Sequence, residues 1–158
     1  MSNGTTVKKR NGRGTEPLNL EKIHAMVEEA TKGIAGVSAS QVEIQSGLQF
    51  YDGITTAEIQ EILIKSASDL IDLDHPNYQY VAARLLLFAI RKQIYGKIRE
   101  LPHLEQHIYN CTNIDVYDKD IFTKYSKEEI EKVNGYIDHS RDFLFTYAGL
   151  RQVVDKYL

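Results

Sequence analysis

The chain is poor in several things that would define it quickly. It has no tryptophan, three prolines and one cysteine, Cys111. A single thiol excludes an internal disulfide, a cysteine-rich zinc module and dithiol redox chemistry within the chain. No apolar run approaches the roughly 20 residues needed to span a bilayer. The opening MSNGTTVKKRNGRGTE has no apolar core, so it is not a secretory signal. The phosphate loop G-x-x-x-x-G-K-[ST], the dinucleotide motif G-x-G-x-x-G and the nucleophile elbow G-x-S-x-G are all missing. No self-contained active site is therefore expected, and no catalytic residue is assigned. Charge is also unremarkable: 19 basic against 22 acidic residues leave a net −3. That argues against general nucleic-acid binding but leaves room for a local phosphate site.

What is present is ordinary for a globular protein of 158 residues, with 42% apolar and 26% charged side chains. The composition suits one domain, or one domain with an appendage, and a cytoplasmic protein without a membrane partner. Residues 1–6 are small and polar and are expected to fray. Two short segments flank Asn11-Gly12, a strong hairpin signal, and Pro17 assigns the second strand to an edge. Helices follow. Asn19 is a good N-cap with Glu21 in the first turn, and Leu20, Ile23, Val27, Ala30 and Ile34 recur at helical spacing. Gly33 and Gly36 end that helix. Ser38–Gln41 reads as a capping box for a short helix containing Val42, Ile44 and Leu48. Thr55–Glu58 opens another helix that carries Ile59, Ile62, Leu63, Ala67, Leu70 and Ile71 up to Pro76. A long helix is predicted over 77–95, one near 103–112, an irregular stretch over 113–125, a capping box at Ser126–Glu129, and a last helix over 139–158. That last helix is unusually apolar, with Phe143, Tyr147, Leu150, Val154 and Tyr157 widened by Leu144, Phe145, Val153 and Leu158. It packs on its own domain or is covered by another chain.

The chemistry-bearing clusters are few. Lys8, Lys9, Arg10 and Arg13 are interleaved with Gly12 and Gly14, which suits close backbone approach to a phosphate or a solvated hairpin. The helix starts at Asn19 and Thr56 add N–H groups and a favourable dipole for an anion. Lys92 can fold back to the same place. His103 and His107 stand i, i+4, but the spacing matches no metal motif and no third ligand is near, so both read as solvated and no metal site is assigned. Cys111 lacks an evident base partner and reads as a structural thiol.

Together, VKKRNGRGTEPLNLEKIH (7–24), QFYDGITT (49–56) and YQYVAARL (78–85) resemble an ATP-cone domain, and more narrowly the N-terminal region of class Ia ribonucleoside-diphosphate reductase large subunits. The likeness continues through YIDHSRDF (136–143) to the chain end. It implies a mainly α fold with a small β cap: a four-helix bundle with a three-stranded sheet over 7–97, then a helical lead-in to a catalytic barrel over 98–158. It implies binding of ATP or dATP, with Mg²⁺, as an allosteric effector. Lys9 and Arg10 would meet phosphates. Glu16, Pro17, Leu18, Asn19, Leu20, Glu21 and Lys22 would line the nucleoside, with Lys22 near phosphate, and Thr56 and Lys92 would complete the site. Implied partners are the rest of the large subunit and the diiron small subunit. The family's reaction needs at least three cysteines, so the expectation is a split large subunit or a fragment whose last helix docks on the remainder. Gln60 and Ala89 stand where relatives carry histidine, which bears on ATP against dATP discrimination. A docking module with an empty cone is the alternative. A cone joined to a zinc ribbon is excluded by the missing cysteines.

Overall fold

The computed structural model describes residues 5–9, 12 and 14–158. The chain divides into two compact units, Met1–Ile90 with Phe143–Leu158, and Arg91–Asp142. One helix, Tyr78–Tyr95, runs through the boundary.

The first unit begins with the expected hairpin. Strand β1 (Thr6–Lys8) pairs antiparallel with β2 (Thr15–Pro17), with Val7 opposite Glu16. Asn11, one of the two residues that signalled the turn, lies outside the described residues. A third strand, β3 (Ile54–Thr55), pairs parallel with β1, giving the order β2-β1-β3. Pro17 therefore sits on an edge strand, where its missing N–H leaves no ladder bond unmade. Gly53 makes the turn into β3 at φ +80°, a conformation that side chains resist. Its N–H donates to the Thr6 carbonyl at 2.9 Å. Asp52 fixes the same corner by accepting from the Thr6 N–H at 2.8 Å and its hydroxyl at 2.7 Å.

Four helices carry the sheet: α1 (Leu20–Thr31), α2 (Ala39–Gly47), α3 (Thr56–Asp69) and α4 (Tyr78–Tyr95). The caps follow the local chemistry. Asn19 Oδ1 accepts from the Lys22 N–H at 2.9 Å, and Thr55 and Glu58 form a full reciprocal box. Ser38 caps α2, but Gln41 does not return the bond. Its side-chain oxygen instead accepts from the hydroxyl of buried Tyr78 at 2.6 Å. The core is built from Val7 and Ile54 of the sheet with Ile23 and Val27 of α1, Val42 of α2, Leu63 and Ile64 of α3, and Val81 and Leu85 of α4. Between Val81 and Phe88 every side chain of α4 except Arg84 is buried, which makes this stretch the central helix of the unit.

Several expected apolar positions lie elsewhere. Helix α1 stops at Thr31, so Ile34 falls in the Gly33–Gly36 loop, and Leu20 at its start is 65% exposed. Ile44 and Leu48 are 68% and 85% exposed, which leaves Val42 as the apolar side chain that α2 buries. Helix α3 stops at Asp69, before Leu70 and Ile71 and well ahead of Pro76. Between them Asp72 accepts from the N–H groups of Asp74 and His75, a local turn that competes with helix. The last apolar segment is not one helix. A 3₁₀ turn (His139–Leu144) gives way at Phe145, and Thr146 caps the closing helix of the chain, Tyr147–Tyr157, which belongs to the first unit.

The second unit contains α5 (Leu104–Asn113), a single turn α6 (Ile121–Lys124) inside the stretch expected to be irregular, and α7 (Lys127–Asn134); the closing helix is α8. Ser126 and Glu129 make the reciprocal box that opens α7. Arg91 is buried and donates to Asp142 at 2.7 Å and to the His139 carbonyl at 3.2 Å.

Candidate functional site

Strand alternation places the first candidate. Val7 is buried, so its face of β1 looks into the helices. Residues two apart on a strand share a face, which puts Lys9 there too. Directly opposed residues also share a face, which adds Glu16. The two meet as a diagonal cross-strand ion pair, Lys9 Nζ to Glu16 Oε2 at 2.9 Å, with side chains 46% and 36% exposed. The Lys9 N–H donates to the Gly14 carbonyl at 3.1 Å, so the strand pairing continues into the loop. Arg10, the second expected phosphate ligand, lies outside the described residues.

From β2 the chain passes directly into α1. The Leu18 N–H donates to the Thr5 carbonyl at 2.8 Å, and Asn19 caps the helix. Glu16, Pro17, Leu18, Asn19, Leu20, Glu21 and Lys22 thus form one continuous edge, from the inner sheet face to the first turn of α1. Leu20, Glu21 and Lys22 are all exposed. Because β1 pairs parallel with β3, Lys8 lies opposite Thr55, and α3 starts at the same sheet end as Lys9. Thr56 is the first residue of α3. Strands of three residues span about 10 Å, so the two helix starts flank one small sheet. Lys92 lies in the last turn of α4, within the second unit.

The charges at the α3 start are firmly held. The Glu58 carboxylate accepts from the Thr55 hydroxyl at 2.7 Å, the Thr55 N–H at 2.8 Å and the Tyr51 hydroxyl at 2.8 Å. Those bonds, the Thr55 hydroxyl first, hold it below the usual carboxylate range. The bond that Tyr51 donates to the Glu58 carboxylate pushes its phenol up. Asp52 is likewise held low, by the Thr6 hydroxyl first. Lys8 adds a favourable charge to both carboxylates. Its Cε would lie 3.7 Å from a Cβ placed on Gly53, so its stem crosses that turn. Lys8 belongs to the basic cluster in the sequence, and strand alternation places it on the face opposite Lys9.

Gln60 sits one turn beyond Thr56 on α3 and is only 4% exposed. Its Nε2 donates to the Leu85 carbonyl at 3.0 Å, tying α3 to α4. In the second unit, His103 and His107 do not share a helix face, because His103 is the N-cap of α5. His103 Nε2 lies 2.8 Å from the Asn134 amide and 3.1 Å from Glu131. His107 is not simply solvated: its ring meets the edges of Tyr95 and Tyr117 at 5.3 and 5.8 Å. It also lies 3.7 Å from Cys111 Sγ, so that half-buried thiol does have an imidazole beside it. Among the described residues, no group of three or more His, Cys, Asp or Glu side chains is placed to hold a metal ion, and no helix is long and apolar enough to cross a membrane.

Comparison with known proteins adds a family. The model of the ATP cone domain matches residues 5–93, which contain the sheet, both helix starts and Lys92. Ribonucleoside-diphosphate reductase 1 subunit alpha of Escherichia coli is 45% identical over 158 residues, covering 100% of this chain and 20% of that one. The subunit alpha of Haemophilus influenzae is 44% identical over 158 residues, 100% of this chain and 21% of its own. That of Helicobacter pylori is 41% identical over 155 residues, 97% of this chain and 19% of its own. The chain thus spans about a fifth of the length of the curated relatives it matches, and the matched part is their N-terminal region. A match over more than half of the chain, enclosing a three-stranded sheet on four helices, is decisive: the chain belongs to the ATP-cone domain family.

Proposed function

We propose that the first unit binds ATP or dATP, accompanied by Mg²⁺, and that the chain is the N-terminal regulatory part of a ribonucleoside-diphosphate reductase large subunit. The observation that carries this is the Lys9–Glu16 pair at the sheet end where α3 starts, with the start of α1 at the other end of the same small sheet. The donor set fits a nucleoside triphosphate. Lys9, Arg10 and Lys22 supply cations, and the capping box leaves the N–H groups of Thr56 and Ala57 facing out of a 14-residue helix. Glu16 and Asn19 supply acceptors for amino or hydroxyl groups of the nucleoside. A half-exposed ion pair contributes little by itself. Its lysine is therefore cheaply transferred to phosphate, where a charge-assisted bond is stronger.

Regulation then requires that the nucleotide contact two states of the larger enzyme differently, since equal affinity shifts nothing. The exposed apolar side chains Leu144, Phe145, Tyr157 and Leu158 suit docking on the remaining large-subunit polypeptide. The diiron small subunit is the further partner that the reaction requires, and the setting is cytoplasmic. The catalytic groups for nucleotide reduction lie outside these 158 residues. One observation favours a second reading, a docking module without nucleotide. The Gln60 amide is 4% exposed and donates to the Leu85 carbonyl, so it is spent on packing α3 against α4 and not presented at the surface.

Calorimetric titration with Mg-ATP separates the two. The first reading predicts saturable binding that Lys9→Ala weakens roughly 10–100-fold, the loss of about 1.5–3 kcal/mol for a hydrogen bond to a charged group. Because Lys9 is half-exposed, the variant should melt with the wild type. Absence of heat in the wild type favours the docking module.

A further inference from the structure

Helix α1 has no basic residue in its own last turn, and beyond its C-cap, Lys32, its final carbonyls need partners from elsewhere in the fold. Arg84 of α4 supplies one. Its Nη1 donates to the Lys32 carbonyl at 2.6 Å and to the Ala30 carbonyl at 3.3 Å. The guanidinium carbon also lies 5.4 Å from the centre of the Phe143 ring, whose edge meets Phe88 at 6.4 Å. One planar group thus touches the end of α1 and the start of the segment leading into α8, all within the first unit. The arrangement is costly. Arg84 Nε is buried without a hydrogen-bond partner, and burial pushes the guanidinium down, with Glu29 offsetting part of that. An apolar side chain would avoid the cost, but it could not cap the helix and face the ring together.

We propose that Arg84 is a positioning residue that links nucleotide occupancy at the N-terminal end of α1 to the segment from Phe143 through α8. A 12-residue helix is a rigid rod of about 18 Å. A shift imposed at Asn19–Lys22 therefore reaches the carbonyls that Arg84 holds. The same guanidinium carries it to Phe143 and onward to the exposed apolar side chains Leu144 and Phe145. This link rests on the nucleotide reading above, yet it can be tested apart from it.

The test is hydrogen–deuterium exchange on the full 158-residue chain, with and without saturating Mg-ATP, alongside calorimetry. In the wild type, exchange over 143–157 should slow at least threefold on binding. Arg84→Met should keep the dissociation constant within threefold and lose that slowing. Phe143→Leu, which keeps the Arg84 guanidinium and removes only the ring it faces, should lose it too and serves if Arg84→Met does not fold. Retention of the slowing in either folded variant overturns the link, as does wild-type binding without slowing. If Mg-ATP produces no heat, the nucleotide reading fails and the link is read without ligand. Phe143→Leu should then raise exchange over 30–34 at least threefold when Arg84 is present and add nothing to Arg84→Met; equal effects in both backgrounds overturn it.

Discussion

The two units are held by different means. The first packs a sheet and the sides of five helices around fully buried aliphatic side chains such as Val27, Leu63 and Leu85. The second buries few: Ile108, Thr112 and Ile130, with Arg91. Its order comes instead from a capping box, the Arg91–Asp142 pair and aromatic edges around His107, while Tyr109, Ile114, Val116, Tyr125 and Tyr136 stay exposed. Apolar burial is the dominant favourable term in folding. The candidate nucleotide site is therefore carried by the unit that has a core. The other unit is shaped by polar contacts and keeps many of its apolar groups exposed.

The sharpest way to break this contrast is to delete one aliphatic side chain from each unit. Leu63→Ala should cost about 3 kcal/mol, within the usual range for buried leucine, and lower the urea midpoint of the main transition. Ile130→Ala should raise hydrogen exchange over 104–134 and leave that midpoint nearly unchanged. Equal shifts would make the two units one cooperative body.

Identical cap chemistry offers a finer comparison, since Thr55 and Ser126 both close reciprocal boxes. Thr55→Ala should lower global stability by about 1 kcal/mol. Ser126→Ala should show only as faster exchange at the start of α7.

The smallest effect is on pH. Asp52 and Glu58 have folded values below their unfolded ones. Their contribution is fully present above the unfolded value near ~4 and is lost as pH falls through the depressed folded values. Asp52→Asn should flatten part of the acid limb of a melting-temperature profile. His24 has the opposite sign. Glu43 on α2 accepts at 2.6 Å and Glu28 lies at 3.3 Å, and together they hold its folded value up, the Glu43 bond first. That contribution is complete below the ordinary value near ~6.5 and is lost as pH rises through the raised one. His24→Gln should remove this slight loss at neutral to alkaline pH.

Local chemistry was the legible part. Asn19, Ser38, Thr55 and Ser126 were all readable as caps, because a side-chain oxygen reaches a backbone N–H three residues on without help from the rest of the fold. The hairpin and the edge position of Pro17 were legible for the same reason. Helix ends were less so. The α1 stripe ran on to Ile34 in the sequence, yet the helix stopped at Thr31. Apolar spacing does not say where neighbouring elements end, so Leu20, Ile44 and Leu48 carried a core pattern and stayed exposed. Tertiary roles were not legible at all. Nothing local marks Gln60 for the Leu85 carbonyl, Gln41 for Tyr78, or Arg84 for the end of α1. The Lys9–Glu16 pair lies between: both residues were singled out, and strand alternation explains why they meet.

The most direct test of the central claim is to map backbone amide resonances of the full chain during titration with Mg-ATP. Binding at the sheet predicts the largest shifts over 7–9, 16–22 and 54–58, with those of 104–134 nearly still. Shifts concentrated in the second unit, around Tyr109 and Phe122, would contradict the account.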